Sequence, residues 1–142
     1  MTAFPIPDPA FAPTRPYSEG AARGELRIPR CGACRRYQWY PAERCAACGS
    51  RRLAWEATSG RGTVFSYAVV QRPLLREFAP LVPFATGIVT LAEDARLRVV
   101  TRFVDCDPAA IRIDLPVRAV FRPLGHPQVA DWALVVPFFT PA

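Results

Sequence analysis

From residue 60 onward, apolar and polar positions alternate in short runs broken by turn residues, the period of half-buried strands rather than of helices. The run "GTVFSYAVVQRP" is rich in β-branched and aromatic residues and ends at Pro73. "FATGIVTLA" and "RLRVVTRFV" follow as two further strands, and the "EDA" between them predicts a hairpin with its acids at the turn. In the second of these, alternation sets Leu97, Val99 and Phe103 toward one face and Arg98 and Arg102 toward the other. "DPAAI" predicts a single helical turn, with Asp107 as cap and Pro108 as first residue. "PVRAVFRPL" and "WALVVPFF" supply two more strands. Five strands without a long helix predict a small, partly open barrel over residues 59–142.

The pattern upstream is different. Residues 1–16 hold five prolines among Phe4, Ile6 and Phe11, which rules out a helix and predicts an extended arm laid against the core or a partner. "SEGAARGE" predicts a short helix over 18–23, capped by Ser18 and stopped at Gly24. These parts make up a first segment, residues 1–25. Residues 26–58 form a second, in which "RRYQWYPAER" reads as a strand and turn returning on itself. "GSRRLAWEA" then resumes as a strand with Leu53 and Trp55 on one face. Two apolar stretches exceed what so small a domain needs inside. Phe78, Leu81, Val82 and Phe84 fall in the loop of "REFAPLVPFATG", and Pro137, Phe138 and Phe139 fall in "LVVPFFTPA". Left outside, they make an apolar patch of the kind that meets a partner.

Composition narrows the chemistry. The 142 residues include no lysine, so all 18 basic side chains are arginine, and Schiff-base or phosphate-loop lysine chemistry is excluded. There is one histidine, His126. Charge is uneven: nine arginines face four acids in residues 1–55, against nine and eight in residues 56–142. A basic end suits an anionic partner. No apolar run has the length of a membrane span, and the N-terminus lacks the pattern of a signal peptide. The expected compartment is therefore the cytoplasm, where thiols stay reduced, and an odd total of five cysteines also argues against a disulfide framework.

Four of those cysteines, Cys31, Cys34, Cys45 and Cys48, form two C-x-x-C pairs ten residues apart. Each pair can turn two sulfurs onto one ion, and two pairs complete a tetrahedral thiolate shell. Zinc is the expected ion, though the same cage also suits iron. Four cysteines leave no open coordination position, so the role is structural, and metal binding would supply folding free energy that about thirty residues cannot gain from burial alone. Arg30, Arg35, Arg36, Arg44, Arg51 and Arg52 rim this unit. No other candidate makes an active site. Cys106 in "VDCDP" reads as a small buried hydrophobe and His126 as a loop residue. "GRG" at 60–62 precedes a strand instead of a helix, and Asp105, Asp107 and Asp114 read as caps or turn residues. With Phe65, Tyr67 and Phe103 as stacking rings beside arginines, a nucleic-acid-binding module is the alternative reading.

The order of parts resembles a known family. A short helix followed by "GELRIPRC", the four-cysteine ribbon and then "GTVFSYAVVQRP…PFATGIVTL…CDPAAIRIDLPVRAVFRPL" is similar to the zinc-ribbon/OB-fold family called domain of unknown function 35, over roughly residues 17–139. The resemblance implies a mainly β protein: a short helix, a rubredoxin-like zinc ribbon with Cys31, Cys34, Cys45 and Cys48 as ligands, and a five-stranded OB-fold barrel. It also implies a non-catalytic subunit of an acyl-coenzyme A enzyme of the thiolase fold (a thiolase, an acetyltransferase or a steroid side-chain aldolase), in a hetero-oligomer, α2β2, with a hot-dog hydratase as another associate. Gln71 stands where the family more often has histidine. On this reading the coenzyme A thioester is a ligand of the complex. Loop 72–84 lines its entrance, Arg72 and Arg76 face phosphates, and Phe78, Phe84, Phe138 and Phe139 face the partner or the acyl group.

Overall fold

The computed structural model describes residues 7–124 and 134–142. Helix α1 (Arg15–Ala22) begins three residues before the expected start, because Pro16 needs no amide partner in the first turn and Thr14, not Ser18, occupies the capping position. Gly24 ends it as expected, with a φ of 76° that a side chain would disfavour. Residues 7–14 are not an extended arm. They wind through successive turns, with the Phe11 amide donating to the Asp8 carbonyl and the Arg15 amide to that of Phe11. The rest of the predicted arm, like His126, lies outside the described residues.

Strands β1 (Arg27–Cys31) and β2 (Leu53–Ala57) pair antiparallel, from Arg27 opposite Ala57 to Cys31 opposite Leu53. The stretch between the cysteine pairs does not form the expected hairpin. Its backbone pairs with β1 at a single isolated bridge between Arg30 and Tyr37, where the Cys31 amide donates to the Arg36 carbonyl and the Gln38 backbone amide to that of Pro29. Its side chains hold it instead: the Gln38 amide donates to the Arg44 carbonyl at 3.2 Å and accepts from the Ala46 amide at 2.8 Å. Trp39 packs on Tyr17 of the helix at 5.0 Å between ring centroids. Burial, then the nearby Tyr40, pushes the Tyr17 phenol up to about 12.

The barrel contains β3 (Arg61–Val70), β4 (Phe84–Leu91), β5 (Arg98–Arg102), β6 (Pro116–Pro123) and β7 (Val135–Pro141), in the order β5-β4-β3-β6-β7. A bulge in β3 between Val64 and Ser66 bends the sheet. A parallel bridge from Phe103 to Phe139 brings its ends together, so the barrel is nearly closed. At Gly87 the β3 backbone comes so close that an added Cβ would strike the Ser66 carbonyl. Alternation runs as predicted: Leu97, Val99 and Phe103 are buried, Arg98 is exposed and Arg102 half-buried on the opposite face. Asp107 accepts the Ala109 amide at 2.9 Å to cap the turn Pro108–Ala110.

The core joins both units. Leu26 and Ile28 pack into one cluster with Val64, Val89, Phe103 and Phe139 of the barrel. Phe139 is 1% exposed, which corrects its expected place on a partner face. Neighbours in a strand point to opposite sides, so Phe138 and Phe139 cannot share one surface. Among the described residues no helix is long and apolar enough to cross a membrane.

Candidate metal centre and apolar groove

β1 delivers Cys31 at its last position, and a sharp turn with Arg35 at a φ of 64° brings Cys34 back beside it. A second knuckle, closed by Gly49 at a φ of 73° and by the Gly49 amide bonded to the Cys45 carbonyl, presents Cys45 and Cys48. The four sulfurs lie within 4.8 Å of one another, with Cys31–Cys48 and Cys34–Cys45 at 3.6 Å. A tetrahedron with metal–sulfur bonds of about 2.3 Å has edges of about 3.8 Å, so the donor set fits zinc. Backbone amides are already aimed at the sulfurs: Ala33 and Cys34 at Cys31, and Ala47 at Cys45. The amides of Cys34 and Ala33 outweigh burial and bring the Cys31 thiol down to about 6. Those of Cys48 and Ala47 lower Cys45 as well. At Cys48 the Ser50 amide lowers the thiol, but burial and the three neighbouring sulfurs together raise it to about 11. Zinc bound here would stiffen the knuckles, and its shell of four thiolates has no position left for water or substrate.

The rim arginines do not all project freely. Arg30 pairs with Glu56 at 3.2 Å and Arg35 with the same carboxylate at 3.8 Å, while Arg44 donates to the Gly49 carbonyl. Cys106 is half-buried against the core, and burial and the carboxylates of Asp105 and Asp107 raise its thiol, which disfavours the nucleophilic form. Asp105 is held by Arg122, and this pairing lowers its carboxyl below the ordinary range. Asp105 and Asp114 both have positive φ, as turn residues do. Of the three rings proposed for base stacking, Phe103 is in the core. Phe65 and Tyr67 remain exposed, with the Arg98 guanidinium 3.7 Å above Phe65.

Beside the loop that joins β3 to β4 lies an apolar groove of about 450 Å³. The 3-10 turn Arg76–Leu81 forms one wall with Phe78 and Leu81, β4 contributes Phe84, and β7 contributes Phe138. Phe78 and Phe84 stand 6.2 Å apart. Leu74 also lines the groove and is 98% exposed. Three of the four predicted phenylalanines therefore converge here. Arg72 and Arg76 are exposed on the adjoining loop but are not among the lining residues. Sequence reasoning missed Arg102. It placed this side chain on the outer face without seeing that the face curves under the loop and becomes the groove's wall.

Two family models match consecutive stretches of the chain: the ChsH2 rubredoxin-like zinc ribbon domain over residues 18–54, and the ChsH2 C-terminal OB-fold domain over residues 55–122. A "DUF35 domain-containing scaffold protein" of Methanothermobacter thermautotrophicus is 44% identical over 64 residues, 45% of this chain and 46% of that protein. The "3-oxo-4,17-pregnadiene-20-carboxyl-CoA hydratase alpha subunit" of Mycobacterium tuberculosis is 37% identical over 82 residues, 58% of this chain and 24% of that protein. The match thus spans less than half the length of either relative. Among solved structures, a chain of the "Ltp2-ChsH2(DUF35) aldolase" superposes with a TM-score of 0.77 at 29% identity, covering 97% of this chain and 98% of that one.

Proposed function

Since this chain belongs to the zinc-ribbon/OB-fold family called domain of unknown function 35, we propose that it is a non-catalytic subunit that docks on a thiolase-superfamily acyl-coenzyme A enzyme, an aldolase above all. The observation that carries this reading is the groove: an apolar concavity beside an exposed loop, on a chain whose metal shell is closed and whose remaining thiol is unreactive. Near end-to-end likeness to a chain of an aldolase complex supports the same choice of partner. The chemistry belongs to the partner. Loop 72–84 covers the acyl group and excludes water, and Arg72 and Arg76 on its exposed side offer planar forks to the phosphates of coenzyme A. Leu74 and Leu75, left uncovered, are the contacts that a partner buries. The assembly is an α2β2 hetero-oligomer in the cytoplasm.

The test is co-expression with thiolase-fold enzymes, followed by size-exclusion chromatography with light scattering at low and high salt. A stable heteromer that survives high salt is expected, because the contact is apolar. Elution as separate chains with every such enzyme would overturn the reading. Salt-sensitive binding to single-stranded nucleic acid in its place would point to Phe65, Tyr67 and Arg98 as the working face.

A further inference from the structure

Among the described residues the wall of the groove carries one charge. Of its eleven lining residues only Thr86 and Arg102 are polar, and these two face each other across the β4–β5 pairing. The Thr86 hydroxyl already donates to the Thr101 carbonyl at 2.8 Å. Arg102 has no such commitment. Its guanidinium carbon lies 4.9 Å from the centroid of the Phe138 ring, and among the described residues no carboxylate comes within ion-pair distance of it. Other arginines of this chain pair where they can: Arg30 and Arg35 with Glu56, Arg96 with Asp94, Arg122 with Asp105. Burial alone disfavours the charged form of Arg102, and among the described residues one aromatic face is all that opposes it.

A half-buried cation in a wall of leucine and phenylalanine is costly unless an anion completes it, and arginine binds carboxylate two oxygens at a time. Pockets for small molecules have this composition, an apolar lining with a few polar groups that fix orientation. At about 30 Å³ per water-sized group the groove has room for roughly fifteen such groups, the size of a medium-length acyl chain. We propose that Arg102 makes the groove selective for an apolar chain that ends in a carboxylate, its hydrocarbon lying on Phe78, Phe84 and Phe138 and its oxygens on the guanidinium. The inference rests on the companion-subunit reading only in taking the groove as a ligand site. The experiment leaves the partner out, so failure here and failure of docking are separate results.

The experiment is isothermal titration calorimetry of the full zinc-loaded chain with laurate and, separately, dodecanol, which differ in the head group. Laurate is expected to bind at least tenfold more tightly. Arg102→Met, which keeps the length and removes the charge, is expected to bring the two ligands within about twofold of each other, mainly by weakening laurate. Arg102→Lys keeps a point charge without the fork and is expected to fall between. Should Arg102→Met fail to fold, the comparison of ligands on the parent chain decides by itself. Equal affinity for laurate and dodecanol, no binding of laurate, or a preference that survives Arg102→Met would each overturn the proposal.

Discussion

The ribbon and the barrel reach order by different means. In the barrel, Val64, Val89, Leu91, Leu97, Val99, Phe103, Val117 and Phe139 are all buried, and β3, β4 and β6 each pair with two neighbours. Beyond Leu26 and Ile28, which belong to the barrel's own core cluster, the buried side chains of the ribbon are Pro29, Cys31 and Cys45. Leu53 and Trp55 are only half-buried. The segment from Gly32 to Arg52 therefore has no core of its own beyond Tyr37 and Trp39 laid on that cluster, and its two knuckles are held by four sulfurs. One end of the molecule is held by burial and the other by coordination, and a change that harms one should leave the other largely intact.

The most severe way to break that symmetry is to remove a ligand. Cys45→Ser is expected to reduce bound zinc from about one ion per chain to almost none, as read by plasma emission spectrometry, because three sulfurs bind a structural ion far more weakly than four. The barrel's β signal in circular dichroism should survive. The reciprocal change is Phe139→Ala, which empties the largest fully buried site. Its expected cost is about 3–5 kcal/mol in denaturant unfolding, with zinc content unchanged. A third variant separates the surface from both cores. Leu74→Ser with Leu75→Ser should leave stability within about 0.5 kcal/mol, yet weaken partner binding by about tenfold or more in a titration, as loss of an apolar contact at an interface does.

The smallest effect concerns the Asp105–Arg122 pair, which ties the start of the Pro108–Ala110 turn to β6. Arg122 lowers the Asp105 carboxyl in the folded chain. A depressed folded value means that the stabilisation is present above the ordinary carboxylate pKa of about 4 and disappears as pH falls through the lowered one. Thermal melts of the parent and of Arg122→Gln should differ slightly at neutral pH and coincide in strong acid. A difference that grew on acidification would assign the pair the wrong sign.

The same contrast explains how much of the molecule was legible in its sequence. The barrel strands follow from alternation, because each strand buries one face and exposes the other, as Leu97 to Phe103 do. The metal site follows from two C-x-x-C pairs. The spacer does not, because Gln38 bonds across the loop in place of a backbone ladder, and no periodicity encodes a side chain that mimics a strand. The start of the helix was obscured by Ser18, which looks like a cap but lies within the first turns after Pro16. Surplus apolar residues announced the groove. That Phe139 enters the core while Phe138, itself buried, faces the groove follows from the strand period, which reading "PFF" as one patch overlooked. Arg102 gave no local signal, since an arginine on the outer face of a strand is ordinary until a distant loop folds over it.

The claim that coordination holds the knuckles while burial holds the barrel is tested most directly by amide hydrogen exchange of the full chain, with zinc and after chelation. The amides of Gly32, Arg35, Cys45 and Gly49 close the knuckles, donating to Arg52, Cys31, Ser50 and Cys45, whereas those of Val64 and Phe103 donate within the barrel to Leu115 and Ala85. Chelation is predicted to release the first four to rapid exchange and leave the last two protected. Knuckle amides that stayed protected without metal, or barrel amides released along with them, would contradict the account.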